Sequence, residues 1–115
     1  MSKIKIMLSS PMKDKTDKEI SDERNEMANL LFDYYDDNCE IMSTVIENHN
    51  EKSALECFSE SILFMSMADV LAMGFGWENA RGCKLEHEIA KAYGVPVVYL
   101  DDIKKELNQW WMLLM

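Results

Sequence analysis

The sequence predicts an α/β protein: a flavodoxin-like three-layer sandwich whose parallel sheet has four to five strands in the order 2-1-3-4. Three observations lead there. Short apolar runs alternate with longer segments of helical periodicity, which is the pattern of successive βαβ units. The segments between the runs are long enough for right-handed crossovers, so the strands lie parallel. The length, 115 residues, suits one domain spanning 1–115 with a core of its own, since a chain of this size buries roughly two-thirds of its unfolded surface.

In chain order, Lys3–Leu8 (KIKIML) reads as the first strand and ends at the turn-forming Ser9-Ser10-Pro11. Thr16 to Glu19 is a capping box, in which each end of a helix's first turn satisfies the other's N–H. Ile20, Met27, Leu30, Leu31 and Tyr34 then recur at helical spacing, and Asp36-Asp37-Asn38 stops the helix. Ile41–Ile46 reads as the second strand and Glu47–Lys52 as a polar loop. Ser53 to Glu56 is a second capping box, and Leu55, Phe58, Ile62, Leu63 and Ser66 line one helix face. Asp69–Met73 is the third strand, followed by a glycine-bearing loop from Gly74 to Arg81. Gly82–Tyr93 is the third helix, with Leu85, Ile89 and Ala92 expected inward and Gly94 as its C′ residue. Val95–Leu100 is the fourth strand, and the apolar segment 103–115 forms the last helix.

Composition narrows the function. The chain is 48% apolar and 10% aromatic, which places it with globular rather than disordered acidic proteins. Its net charge of −9 excludes a nucleic-acid polymer as main partner and disfavours anionic membranes. Cys39, Cys57 and Cys83 are an odd set without a CxxC pair, and no signal peptide is evident; reduced thiols in a cytoplasm are expected. The longest apolar run, Trp110–Met115, is six residues, far short of a membrane span. The acidity is concentrated in residues 14–60, which hold 14 acids and 4 bases. Residues 1–13 carry three lysines and no acid, and residues 74–94 balance three acids with three bases. A small phosphorylated ligand is therefore compatible with the segments expected at the site.

In a doubly wound sheet, ligands sit beyond the carboxyl ends of the strands where the strand order reverses. Here that is between the first and third strands, where Ser9–Met12 and Gly74–Gly82 meet. Gly82 places free N–H groups at a helix start, which favours a phosphate or carboxylate, and Arg81 and Lys84 add positive charge. The same helix field is expected to hold Glu86 ionised, ready to attack or stabilise a sugar anomeric carbon. The simpler alternative is a glutamate on a solvated helix face.

The pattern from Gly82 through Glu86 to Ala90 and Gly94 resembles the signature of the nucleoside 2-deoxyribosyltransferase-like family. The opening Ile6-Met7-Leu8-Ser9-Ser10-Pro11-Met12 resembles that family's first strand and loop. Ala68-Asp69-Val70 and Gly76-Trp77-Glu78-Asn79-Ala80-Arg81-Gly82 are similar to a small branch of it found in phages and prophages of Gram-positive bacteria. The likeness implies that Glu86 is the nucleophile of a two-step, retaining cleavage at an N-glycosidic bond. It implies that Ser9, Ser10, Pro11 and Met12, with Gly76, Trp77, Asn79, Ala80, Arg81 and Gly82, hold a nucleoside or nucleotide. It further implies a bacterial cytoplasmic protein, phage-encoded in some settings, that assembles as a homodimer or larger homo-oligomer. No cofactor or metal is implied, and no HExxH or Cys/His cluster suggests zinc.

Four positions depart from the family pattern. Met7 stands where the transferases have a tyrosine that orients the nucleophile, and Gly74 near where they carry an acid that handles the base. Ala80 replaces a phosphate-binding serine of nucleotide-hydrolysing relatives, and Ser10 a frequent glycine. Without the base-handling acid, water is the expected acceptor. Elsewhere, Trp77 is equally a base-stacking ring or a packing anchor, and His87 is expected to be exposed. Asp69 either polarises a ligand hydroxyl or caps the turn before its strand, and Cys83 is a spectator whose pKa the helix start should lower. Beside the enzyme stand two other readings: a non-catalytic binder that sequesters a nucleotide or nucleotide-derived signal, and a vestigial pocket with the apolar C-terminus as working surface.

Overall fold

The computed structural model describes residues 3–44 and 49–115. It shows a four-stranded parallel sheet in the order β2-β1-β3-β4, with β1 at Ile4–Ser9, β2 at Cys39–Ile41, β3 at Val70–Met73 and β4 at Val97–Tyr99. Four α-helices cover it: α1 (Asp17–Tyr34), α2 (Ala54–Ser66), α3 (Arg81–Tyr93) and α4 (Leu100–Leu114). Strand order and helices on both faces are those of the flavodoxin-like sandwich.

Alternation along the strands builds two cores. Ile6 and Leu8 on β1 and Ala72 on β3 face α1 and α4, where Met27, Leu31, Leu100 and Ile103 close over them. Met7, Leu71 and Met73 face the other way, onto Met65 of α2 and Cys83 and Ala90 of α3. β1, β3 and β4 contribute to both faces, while Cys39 and Ile41 of β2 join only the cluster under α1 and α4. The two thiols Cys39 and Cys83 are buried, one in each cluster.

Both capping boxes form. The Thr16 and Ser53 side chains accept the backbone N–H groups of Glu19 and Glu56, whose carboxylates accept those of Thr16 and Ser53 in return. Gly94 ends α3 with φ of 75°, a left-handed cap that a glycine adopts freely.

Several boundaries differ from the sequence-based expectation. The second strand begins earlier, at Cys39, because Asp36 and Asp37 turn the chain with positive φ immediately after α1. Its pairing with β1 ends at Ile41, so residues 42–44 are not strand; positions 45–48, within the expected strand and loop, lie outside the described residues. The fourth strand is shorter than expected and α4 starts at Leu100 rather than at 103, since Asp101 and Asp102 are acids of its first turn. The third helix starts at Arg81, one residue before Gly82.

Two helix faces are also rotated. On α3 the inward residues are Cys83, Glu86 and Ala90, while Leu85 and Ala92 are exposed and Ile89 is half-buried. On α2, Met65 is buried and Phe58 and Ile62 are half-buried, but Leu55, Leu63 and Ser66 face outward. On α2, apolar residues on several sides leave no periodicity to fix which side turns inward.

Candidate functional site

The last rung of the sheet organises the site. Ser9 pairs with Met73 and Met73 with Tyr99, so these three residues stand side by side at the carboxyl ends of β1, β3 and β4. Ser9 has the same parity as Met7, which directs it toward α3. There its hydroxyl donates to Glu86 Oε1 at 3.2 Å. Glu86 is only 9% exposed and Ser9 4%, so the contact is largely removed from water with a small opening left at the carboxylate.

Burial dominates the electrostatics. Desolvation raises the Glu86 carboxyl from its ordinary value near 4.5 to about 7, while the Ser9 hydrogen bond pulls weakly the other way. The expectation that the helix field holds Glu86 firmly ionised is thereby corrected: the group lies a full turn inside α3, beyond the reach of the terminal dipole. Cys83, one turn before it, is likewise corrected. Burial pushes its thiol up, a hydrogen bond with Ser9 opposes the rise, and the charge of Glu86 adds to it.

At the other end of the rung, His87 Nε2 and the Tyr99 hydroxyl lie 2.7 Å apart. The Trp77 ring stacks over His87 with centroids 4.4 Å apart and approaches Tyr99 at 5.9 Å. Trp77 is thus a packing ring in this state, and His87 is half-buried and partnered rather than exposed. Two strand spacings, about 10 Å, separate the Ser9 and Tyr99 ends of the rung.

Trp77 and Tyr99 also line an open cavity of about 280 Å³ with Glu78, Asp101 and Asp102. Its three carboxylates alter the expected charge of the site. The loops contributed by sequence neighbours are neutral or basic, but the first turn of α4 brings two acids to the tryptophan end. A phosphate is repelled there and fits better toward the start of α3, where Ala80 provides no side-chain cap for the first turn.

The remaining expected site residues fall into distinct places. Ser10 lies on the opposite side of β1 from Glu86: a Cβ on Gly74 would stand 2.8 Å from Ser10 Cβ and 2.9 Å from Met27 Sδ on α1. Gly74 therefore has no room for a side chain, which accounts physically for the lack of an acid at that position. Pro11 is half-buried and Met12 is 59% exposed beyond it. Gly76 adopts φ of 74° to start the one-turn 3₁₀ helix Trp77–Asn79. Asn79, Arg81 and Gly82 are exposed, with Ala80 half-buried between them, and open space surrounds Gly82. Asp69 sits at the far end of the sheet, where its carboxylate accepts the Lys5 backbone N–H at 2.8 Å and its own N–H donates to the Lys5 carbonyl. It joins β1 to β3, and the ligand-polarising reading is dropped.

Tyr99, Asp101 and Asp102 were not expected at the site. The signal was available for Tyr99, since the residue ending a strand next to the switch point lies at the ligand edge of the sheet. It was not available for the two aspartates, which lie between the expected fourth strand and last helix. Among the described residues no group of three or more His, Cys, Asp or Glu side chains is placed to hold a metal ion, and no helix is long and apolar enough to cross a membrane.

The chain belongs to the family described as Domain of unknown function (DUF4406), whose model matches residues 5–99. That span runs from β1 to the end of β4 and includes Ser9, Trp77 and Glu86. No curated protein shows significant similarity to the chain.

Proposed function

We propose that the protein binds a nucleoside or nucleotide at the carboxyl edge of its sheet and cleaves the N-glycosidic bond, with Glu86 as nucleophile and water as final acceptor. The observation that carries this reading is the buried Glu86 carboxyl, bonded to Ser9 at the strand-order reversal and poised near neutrality. A solvated helix glutamate has neither burial nor a partner across the sheet. A carboxyl with a pKa of about 7 is close to half ionised at neutral pH, so a nucleophilic fraction is present. The ionised oxygen attacks the anomeric carbon as the bond to the base breaks. The base leaves with that electron pair and takes a proton from solvent, and water then hydrolyses the glycosyl ester, restoring the carboxylate. The uncapped start of α3, with Arg81 and Lys84, suits the sugar's phosphate.

The crowding at Gly74 favours a second reading, a binder without turnover, because no side chain fits there to protonate or orient a base. One experiment separates the two. The protein is incubated with a panel of nucleosides and nucleotides, released base is followed by chromatography, and unfolding temperature is recorded with each ligand. Base release that disappears in Glu86→Gln supports the enzyme. A thermal shift with unchanged ligand supports the binder, and neither release nor shift with any ligand refutes both.

A further inference from the structure

The C-terminal helix outruns the domain it packs on. Its inward stripe begins with Leu100 and Ile103, both buried, and continues at Leu107, which is half-buried. The same stripe extends to Trp110, Trp111 and Leu114, but these are 61%, 67% and 68% exposed. Met112, Leu113 and Met115 on the remaining sides are more exposed still. A helix apolar on all sides is the pattern of a buried helix, and here none of the described residues covers it. The molecule is correspondingly elongated, 51 Å along its longest axis against 33 and 23 Å.

We infer that the last two turns of α4, Trp110–Met115, are the contact surface between two copies of this chain. Area, charge and shape each support that occupant. Six large side chains at these exposures present on the order of 900 Å², against the roughly 800 Å² per partner of a stable interface and the 300–600 Å² of the largest patch on a typical monomer. From Leu107 to Met115 no side chain is ionisable, although the chain as a whole carries −9. Two copies of so acidic a protein repel across most of their surface, whereas the end of α4 itself brings no charge to the contact and the acids nearest it, Asp33 and Asp36, stand at the rim of its groove. Each copy also offers both halves of a fit. Leu107, Trp110, Trp111 and Leu114 line an open groove of about 430 Å³, bordered by Asp33 of α1 and by Asp36 in the turn after it, while Met112, Leu113 and Met115 project as the complement. A two-fold axis across the helices fills both grooves at once. The inference is independent of the nucleotide reading.

Light scattering on the full chain after size exclusion, across a range of micromolar concentrations, tests it. The expected mass is about twice the 13.4 kDa of one chain, and tryptophan emission shifts to the blue as the concentration rises. The double variant Trp111→Glu/Leu114→Glu should run as a monomer with unchanged circular dichroism and lose the emission shift. Leu55→Glu/Leu63→Glu, which charges the exposed face of α2, should leave the dimer intact. A wild-type mass of one chain at every concentration overturns the inference, and so does an assembly that survives the α4 variant. A wild-type monomer that sediments with neutral phosphatidylcholine vesicles overturns it in favour of a lipid surface.

Discussion

Glu86 is the residue on which stability and chemistry pull against each other. Unfolded, its carboxyl titrates near 4.5; folded, burial holds it at about 7. Between those values the folded chain retains a proton that the unfolded chain has lost, so stability falls as pH rises through this window. The deficit is complete above the folded value and is on the order of 3 kcal/mol. Glu86→Gln keeps the size and removes the charge. It should raise the unfolding free energy by about 2–3 kcal/mol at about pH 8 and change it little at about pH 5. Denaturant titrations at the two pH values read this directly, and an equal effect at both refutes a raised carboxyl. Ser9→Ala acts on the same group from the other side. Loss of the hydrogen bond should push the carboxyl further up, move the midpoint of a carbon-detected NMR titration of Glu86 to higher pH, and cost about 1–2 kcal/mol. Base release, where present, should follow the ionised fraction and shift alkaline in the same variant.

At the scale of elements, the glycines of the 74–82 segment separate close packing from open space. Gly74 sits against β1 and α1, and its Cβ position is already occupied by Ser10 and Met27. Gly74→Ala should therefore cost about 1–3 kcal/mol through overpacking. Gly82, inside the first turn of α3 with nothing within 4 Å of its Cβ position, offers the opposite case. Gly82→Ala should stabilise by about 0.5–1 kcal/mol, because the helix gains propensity and the unfolded chain loses freedom. Thermal unfolding of both variants checks the contrast, and two losses of similar size contradict it. The same segment shows what could be read in the sequence. Strand order, the two capping boxes, the Gly94 cap and the meeting of the loop after Ser9 with the loop at Gly74 were legible, because each follows from local patterning or from topology. The inward face of α3 was not. Leu85 is the apolar choice and Glu86 the buried one, and only the parity of Ser9 on β1 decides between them. Nor was the direction of the Glu86 and Cys83 shifts, since a terminal dipole and desolvation act oppositely and their balance depends on depth in the fold.

For the whole molecule, the governing quantity is the imbalance of 21 acids and 12 bases. Four acids are engaged in described ion pairs: Glu23 with Lys15, Asp22 with Lys18, Glu60 with Lys52, and Glu26 with Lys104. The last of these ties α1 to α4; Lys104 also sits over the Phe75 ring at 5.2 Å. Pairs this close to solvent contribute at most about 1 kcal/mol each and weaken with salt. Repulsion among the remaining acids also weakens with salt, and it acts between many more groups, most of them in the stretch from α1 to the start of α2. Relief of repulsion should therefore exceed loss of pairing. Raising sodium chloride from about 0.02 M to about 0.5 M cuts the screening length from roughly 20 Å to roughly 4 Å. At about pH 8 this should stabilise the fold by about 1 kcal/mol, or about 4 °C in Tm for a domain of this size. At about pH 4, where many of the acids are protonated and the imbalance shrinks, the gain should vanish or reverse. A Tm that falls with salt at pH 8 instead assigns the ion pairs the larger share. Scanning Trp111→Glu/Leu114→Glu beside the wild type separates any salt effect on association from the effect on the fold.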